Sequence, residues 1–315
     1  MQANPQTDWS GKPYHSLDYH LKTTFGKKVY RLSLDGGMTC PNRDGTIGTG
    51  GCIFCSEGGS GDFAATRGLS LDVQIASAKE RVARKTAGKD VSYIAYFQSY
   101  TNTYAPVSYL EALFSEVIAR PDICALSIAT RPDCLPPGTV HMLSSFNEKK
   151  PVWLELGLQT VCEETARFIR RGYGLSVFED AYRRLKADGL TVIVHVILGL
   201  PYETKEQMLA TVRYLATLRA DGIKLQLLHV LKGTALEPVY QSGAFRTLEF
   251  SEYLELIGEC LKLLPPETVI HRLSGDGPKS LLIAPEWSAD KRRVLNSMLH
   301  YLKENHIYQG MSFDG

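Results

Sequence analysis

Cys40, Cys52 and Cys55, in the segment CPNRDGTIGTGGCIFC, carry the clearest chemistry in this chain. Three thiolates are one short of a tetrahedral structural zinc site. They are also one short of the four that usually hold a four-iron cluster. A cluster on three thiolates leaves one iron open to bind and activate a small molecule. The surroundings suit an inorganic group. Gly45, Gly48, Gly50, Gly51, Gly58, Gly59 and Gly61 crowd around the thiols, and glycine lets backbone wrap closely around such a group. Ile53 and Phe54 are bulky and would shield one side of it. The alternatives are three reduced thiols in a loop, or zinc with a distant fourth ligand, because no histidine lies between His20 and His141.

Other polar residues interrupt apolar runs. In VWLELGLQT, Glu155, Gly157 and Gln159 alternate against Leu154, Leu156 and Leu158. A buried carboxylate and amide are costly unless partnered. Either a bound polar ligand or an internal hydrogen-bond network must satisfy them. Arg131 follows an apolar run and precedes Pro132. It would grip a carboxylate or phosphate bidentately, or else pair with Asp133. Arg170 and Arg171 end a helical segment, where cations suit the C-terminus. His195 lies two residues from both Ile193 and Ile197. It is either a hydrogen-bonded core residue or a group facing substrate, and Gln226 and His229 recur in the same manner. HRLSGDGP groups His271, Arg272, Asp276 and Lys279. Its glycines make a tight turn around Asp276, either a loop closing over substrate or an Asx turn. Cys124, Cys134, Cys162 and Cys260 lack C-x2-C spacing, so a second cluster is not indicated.

These residues need a scaffold. Short apolar, β-branched runs at 29–34, 93–97, 125–129, 152–158, 191–199 and 223–230 alternate with helical periodicity, and the helices end in Gly or Asp-Gly stops. Six βα units without a composition shift predict one α/β parallel barrel with right-handed connections. Eight strands would close a TIM barrel, whereas six fit an open, partial (βα)6 barrel. A helix–strand–helix tail follows, giving one domain over 1–315 with a barrel core near 28–235 and an extension near 236–315. Active sites in such barrels lie at the C-terminal ends of the strands. Cys40 follows the first strand closely and so belongs to that rim.

The C-x2-C pair with Phe54 before its second cysteine, and a third cysteine upstream, resembles the radical S-adenosylmethionine (SAM) superfamily. The long C-x11-C gap, with YFQSYTNTYAP, ATRPDCLP, WLELGLQT, HVILGLPYET and HRLSGDGP, is most similar to the Elongator-catalytic-subunit-like branch, bacterial YhcC/YtqA (MnmL) type. The resemblance implies one [4Fe-4S] cluster on Cys40, Cys52 and Cys55, with SAM chelating the fourth iron and cleaved to a 5′-deoxyadenosyl radical. It implies SAM contacts at Gln98 and Ser99, at Glu155 and Gln159, and at Arg171 for the carboxylate. Leu198 and Leu200 would form an apolar shelf for the adenine. Substrate would meet Arg131, His195, His229, Arg272 and Asp276. The branch implies tRNA as partner and remodelling of the wobble-uridine C5 side chain, such as carboxymethylaminomethyl to aminomethyl. An electron donor such as flavodoxin or ferredoxin would serve the cluster. The runners-up are a radical enzyme acting on a small metabolite and a non-enzymatic, zinc-stabilised RNA-binding module.

Composition sets the outer limits. With 315 residues and 44% hydrophobic content, the chain can bury a large core. Lys and Arg number 35 against 34 Asp and Glu, so no global field attracts nucleic acid and any RNA contact needs a local patch. The pairs Arg183/Arg184 and Arg292/Arg293 read as solvated helix faces unless they cluster. The N-terminal stretch lacks a signal-peptide core, and no apolar run is long enough to span a membrane. Seven cysteines without a framework fit a reduced, cytoplasmic setting.

Overall fold

The computed structural model describes residues 9–313 apart from positions 60, 63 and 276. The six apolar runs become strands β1 (Lys28–Leu34), β2 (Val91–Phe97), β3 (Ile123–Thr130), β4 (Val152–Gln159), β5 (Thr191–Leu198) and β6 (Gly222–Leu227). Helix α1 (Leu17–Phe25) precedes them. Between them lie α2 (Leu71–Thr86), α3 (Val107–Ile118), α4 (Pro137–Asn147), α5 (Glu163–Phe168), α6 (Leu175–Ala187) and α7 (Lys205–Thr217). The tail holds β7 (Val230–Leu231), α8 (Leu236–Gln241), α9 (Phe250–Leu263), β8 (Val269–Arg272), β9 (Leu282–Ala284) and α10 (Lys291–Glu304).

The main sheet runs β1-β2-β3-β4-β5-β6-β8 and is parallel at every pairing. It is the open, curled α/β half-barrel expected of six βα units, extended by a seventh strand from the tail. The short β7 and β9 pair separately and antiparallel. The sheet's two edges, β1 and β8, are joined by α1, which packs against both. Ser16 caps that helix by accepting from the Tyr19 N–H at 3.3 Å, and the carbonyl of the preceding His15 accepts from Ile270 N at 2.8 Å. The helix after β5 ends earlier than its Asp-Gly stop suggested. It stops at Thr217, Arg219 turns the chain at φ 48°, and Gly222 already belongs to β6. Asp221 instead accepts from Val192 N at 2.9 Å, tying β5 to β6. Among the described residues, no helix is long and apolar enough to cross a membrane.

Side chains alternate across each strand. The outward set, including Leu32, Phe97, Leu126, Leu156, Val194 and Leu225, forms the main core with the helices. The inward set is layered. At the N-terminal end Val29, Ile94, Ala125, Trp153 and Ile193 pack with Leu21 of α1 into an apolar plug. One step up each strand the side chains become polar or charged: Arg31, Tyr96, Ser127, Glu155, His195 and Lys224. The plug stops water from reaching that layer from below, so its charges must satisfy one another or a ligand entering from above.

Candidate active site

The cysteine loop leaves β1 and folds over the C-terminal ends of the strands. Two backbone bonds pin it: Ile53 N donates to Ile169 O at 3.1 Å, and Ile53 O accepts from Leu236 N at 2.9 Å. Ile53 is buried with Ile169, Ile197, Leu200 and Leu228, while Phe54 packs on the edge of that cluster. Two glycines are dictated by packing. A Cβ on Gly59 would strike the Tyr100 ring, and one on Gly61 would strike Ser99. The loop can therefore lie flat on the segment after β2.

Cys40, Cys52 and Cys55 face one cavity of about 240 Å³, just under the usual range for ligand pockets. The Cys52 thiol is pushed up by a hydrogen bond with Cys55, by burial and by the charge of Cys40. The three sulfurs thus stand close enough to sense one another. Asn42 holds the loop by donating to Cys52 Sγ at 3.7 Å and to Arg170 O at 2.6 Å. Three thiols on a glycine-rich wall with an open mouth fit an iron–sulfur cluster. Among the described residues, no three His, Cys, Asp or Glu side chains already converge as ligands of a single ion. Sulfurs bound to different irons of one cluster have no need to converge on a point.

Below the cysteines, Phe54, Gln98, Glu155 and Gln159 line the cavity, and so do Arg131, His195, His229 and Arg272. Ser99, Arg171 and Leu198 do not. Ser99 is buried against the cysteine loop. Leu198 lies in the outer core, because β5 parity turns His195 and Ile197 inward and Leu198 outward. Leu200 packs with Ile53, so the apolar wall at this point is Ile197 rather than a Leu198–Leu200 shelf. Arg171 is fully buried and donates to Leu158 O at 2.8 Å, Thr160 O at 2.7 Å and Tyr173 O at 2.9 Å. Its guanidinium is consumed in holding the β4–α5 turn. Asp276 lies outside the described residues. Arg131 sits in the cavity wall but forms a bidentate pair with Asp133 at 2.9 and 2.7 Å and stacks on Tyr173.

Glu155 anchors the charged layer. Its Oε1 accepts from Ser127 at 2.9 Å and faces Arg31 at 3.6 Å, while Oε2 accepts from His195 at 2.8 Å and from Lys224. Both oxygens are satisfied by protein, which is the internal network that the sequence left open beside ligand contact. Burial alone would raise its pKa, but Lys224, Arg31 and His195 together hold it well below the usual carboxylate range. His195 is kept neutral by burial and by Lys224, down to about pH 4. Gln226 Nε2 lies 3.4 Å from His195 Nδ1, which assigns the ring proton to the nitrogen facing Glu155. Gln159 has φ 62°, and its amide occupies the space that a Gly157 Cβ would need. Tyr173 OH reaches Gly157 O at 2.7 Å and Gln159 Oε1 at 3.3 Å.

Sequence reasoning missed Lys224, Tyr96, Arg31 and Tyr173. The signal was parity: Lys224 stands two residues before Gln226 in an otherwise apolar strand, and Arg31 stands in the same way within VYRLSL.

Comparison with known proteins places this arrangement. The profile described as "Radical SAM superfamily" matches residues 43–215, and that of the "Radical_SAM C-terminal domain" matches 220–304. The chain is 45% identical over 314 residues to YtqA of Bacillus subtilis, covering 99% of this chain and 97% of that one. It is 29% identical over 185 residues to Elongator complex protein 3 of Homo sapiens, covering 58% of this chain and 32% of that one. Among solved structures, the archaeal Methanocaldococcus infernus Elp3 superposes with a TM-score of 0.65 at 17% identity, over 89% of this chain and 64% of that one. That last likeness is one of fold.

Proposed function

Because the chain belongs to the radical SAM superfamily, in its Elongator-like branch, we propose that this enzyme remodels the C5 side chain of a tRNA wobble uridine, from carboxymethylaminomethyl to aminomethyl. The supporting observation is a single cavity with the three cysteine thiols at its mouth and a ladder of polar side chains beneath them. Cys40, Cys52 and Cys55 would hold a four-iron cluster, which with SAM would supply radical chemistry at this end of the cavity. The protein's own residues then do the work of placement. Phe54 and Ile197 give apolar walls that exclude water from a reactive species. Gln159 and Gln98 offer amides for the polar parts of SAM, and the bend at Gln159 turns its side chain back over Gly157 in the cavity wall. Glu155, His195 and Lys224 of the charged layer line the same cavity.

The tRNA assignment draws on the likeness to Elongator complex protein 3. Mass spectrometry of tRNA nucleosides from cells lacking the protein tests it: the carboxylated precursor should accumulate and the aminomethyl product should vanish. Unchanged wobble nucleosides would instead favour a small-molecule substrate.

A further inference from the structure

Three amides line the cavity above the charged layer: Gln98, Gln159 and Gln226. Each stands further along its strand than Tyr96, Glu155 or Lys224 of that layer. With Gln98 and Gln159 assigned to SAM, Gln226 is left for the substrate. We propose that Gln226 reads the N3–H and one carbonyl of the wobble uracil, and so selects uridine over cytidine. This rests on the reading of the substrate as a tRNA wobble uridine.

The orientation of this amide is set from below. Burial opposes the charge on Glu155, but Lys224, Arg31 and His195 hold its carboxyl well below the usual range. An ionised carboxylate only accepts, so His195 Nε2, 2.8 Å away, carries the ring proton. Burial and Lys224 keep the ring neutral, which leaves Nδ1 as an acceptor. The Gln226 atom 3.4 Å from Nδ1 is therefore the amide nitrogen and not its oxygen. One N–H of Gln226 is spent on His195. Among the described residues, its carbonyl and its second N–H have no partner, and the side chain borders the cavity.

What remains is an acceptor and a donor held in one plane. Uracil carries its N3–H between two carbonyls, which is the complementary pattern. Two hydrogen bonds then form along a base edge, as glutamine makes elsewhere. In the same pose cytosine turns an unprotonated N3 toward the amide carbonyl, and two acceptors face each other. An amide free to turn over would accommodate cytosine. This one is not free, because its oxygen would then meet the Nδ1 lone pair of His195. The wall beside it suits a flat ring. Ile197 pairs with Gln226 across β5 and β6, and Leu228 packs with Ile197; both are apolar and line the cavity. A ring gripped at N3 keeps C5 and its substituent clear of the amide.

The test uses the reconstituted holoenzyme with SAM and no reductant. Fluorescence anisotropy compares three anticodon stem-loop RNAs that differ only at the wobble position, which holds uridine, 3-methyluridine or cytidine. The uridine RNA should bind about tenfold tighter than the other two, because a polar edge left unpaired is penalised. Gln226→Leu should weaken the uridine RNA about tenfold and leave the other two within about twofold, so that all three converge. Gln226→Met, closer in shape, is measured beside it, with thermal unfolding and SAM titration of both variants. Equal binding of uridine and 3-methyluridine RNA by the wild-type protein overturns the assignment and leaves the tRNA reading standing. A uridine preference that survives in the folded variants does the same. Lost SAM affinity in a folded variant that still prefers uridine gives the amide to the adenine of SAM and overturns the assignment too. If none of the RNAs binds the wild-type protein, the tRNA reading fails and the assignment fails with it.

Discussion

Glu155 Oε2 lies 2.8 Å from His195 Nε2, and the same oxygen accepts from Lys224. One carboxylate therefore fixes both a neutral ring and a buried cation. An unfolded chain protonates the imidazole near about 6.5, whereas the folded protein keeps it neutral down to about 4. Between these values the unfolded state binds the extra proton, so stability falls as pH drops through that window. Glu155 works in the same sense at lower pH. Its folded pKa is depressed, so its contribution is present above the ordinary carboxylate value and lost as the carboxylate is finally protonated. His195→Gln should flatten the stability slope between about pH 6.5 and 4 by at most about 1.4 kcal/mol per pH unit. Urea unfolding at several pH values reads this, and a slope identical to wild type would show the ring to be hydrated.

Removing the carboxylate is more severe than removing the ring. Glu155→Ala leaves Lys224 and Arg31 without their shared counter-charge, a loss of about 3–5 kcal/mol. The pair of substitutions Glu155→Gln and Lys224→Met should recover much of that. Thermal unfolding of all three variants checks it, and additive losses in the double variant would mean the two residues do not interact.

Replacing Cys40, Cys52 or Cys55 by alanine should abolish both the brown chromophore of the reconstituted protein and reductive SAM cleavage. Cys124→Ala and Cys260→Ala should leave both intact. Cys260 is buried in the outer core among Ile257 and Leu261, and Cys124 packs beside the apolar plug at the far end of the strands. Iron and sulfide analysis of each variant is the measurement. Full iron content in a triple variant of the loop cysteines would refute the assignment.

Arg171 separates a structural role from ligand binding. Three carbonyls accept from its guanidinium within a turn closed by Arg170 at φ 55°. Lysine is a point charge and cannot span that fork. Arg171→Lys should cost about 2–4 kcal/mol of stability. A variant of unchanged stability and weakened SAM affinity would restore the direct carboxylate contact that the resemblance implies.

What the sequence made legible follows period and spacing. Alternation in VWLELGLQT put Glu155, Gly157 and Gln159 on one face, and the structure lines the cavity with all three. The six βα units and the position of the cysteine loop on the rim were legible for the same reason. Leu198 turns into the outer core while His195 faces the cavity, and parity from His195 alone selects Ile197. Arg171 was beyond local reading, because its fate depends on how a six-residue helix ends. TVIHRLS reads as a strand, but nothing local says that it joins β6 as a seventh member of the sheet. The strands β7 and β9 span two and three residues, too few to show any period.

Gln159 lines the cavity, and the proposed function gives its amide to SAM. Gln159→Leu should weaken SAM binding by about 1–3 kcal/mol through an unpaired polar partner. The backbone at φ 62° adds strain for any side chain, so Gln159→Gly is the control that removes the amide and relieves the bend. If leucine and glycine weaken binding equally, the amide is responsible. Gly157→Ala should act in the same direction, because its methyl would displace the Gln159 amide. Calorimetric titration with SAM reads all three, and wild-type affinity throughout would remove Gln159 from the site.

On the reading of the substrate as tRNA, the RNA contact must be local, since 35 cations face 34 anions in the whole chain. Helix α10 opens on three exposed cations in succession, Lys291, Arg292 and Arg293, capped by Asp290, which accepts from Arg293 N at 3.0 Å. The Arg293 guanidinium lies over Phe250 at 5.6 Å, which restrains it on the surface. A tRNA whose wobble base enters the cavity lays its backbone across the surrounding surface, and each neutralised phosphate releases a counterion. Affinity should therefore fall steeply with salt. Replacing the three residues by glutamine should weaken tRNA binding across all sequences and reduce the logarithmic salt slope by up to about 3. SAM cleavage without RNA should be unaffected, because none of the three lines the cavity. Filter binding at several salt concentrations measures the slope. A slope unchanged by the triple substitution would move the phosphate contacts to another face, and no tRNA binding even at low salt would remove tRNA as the substrate.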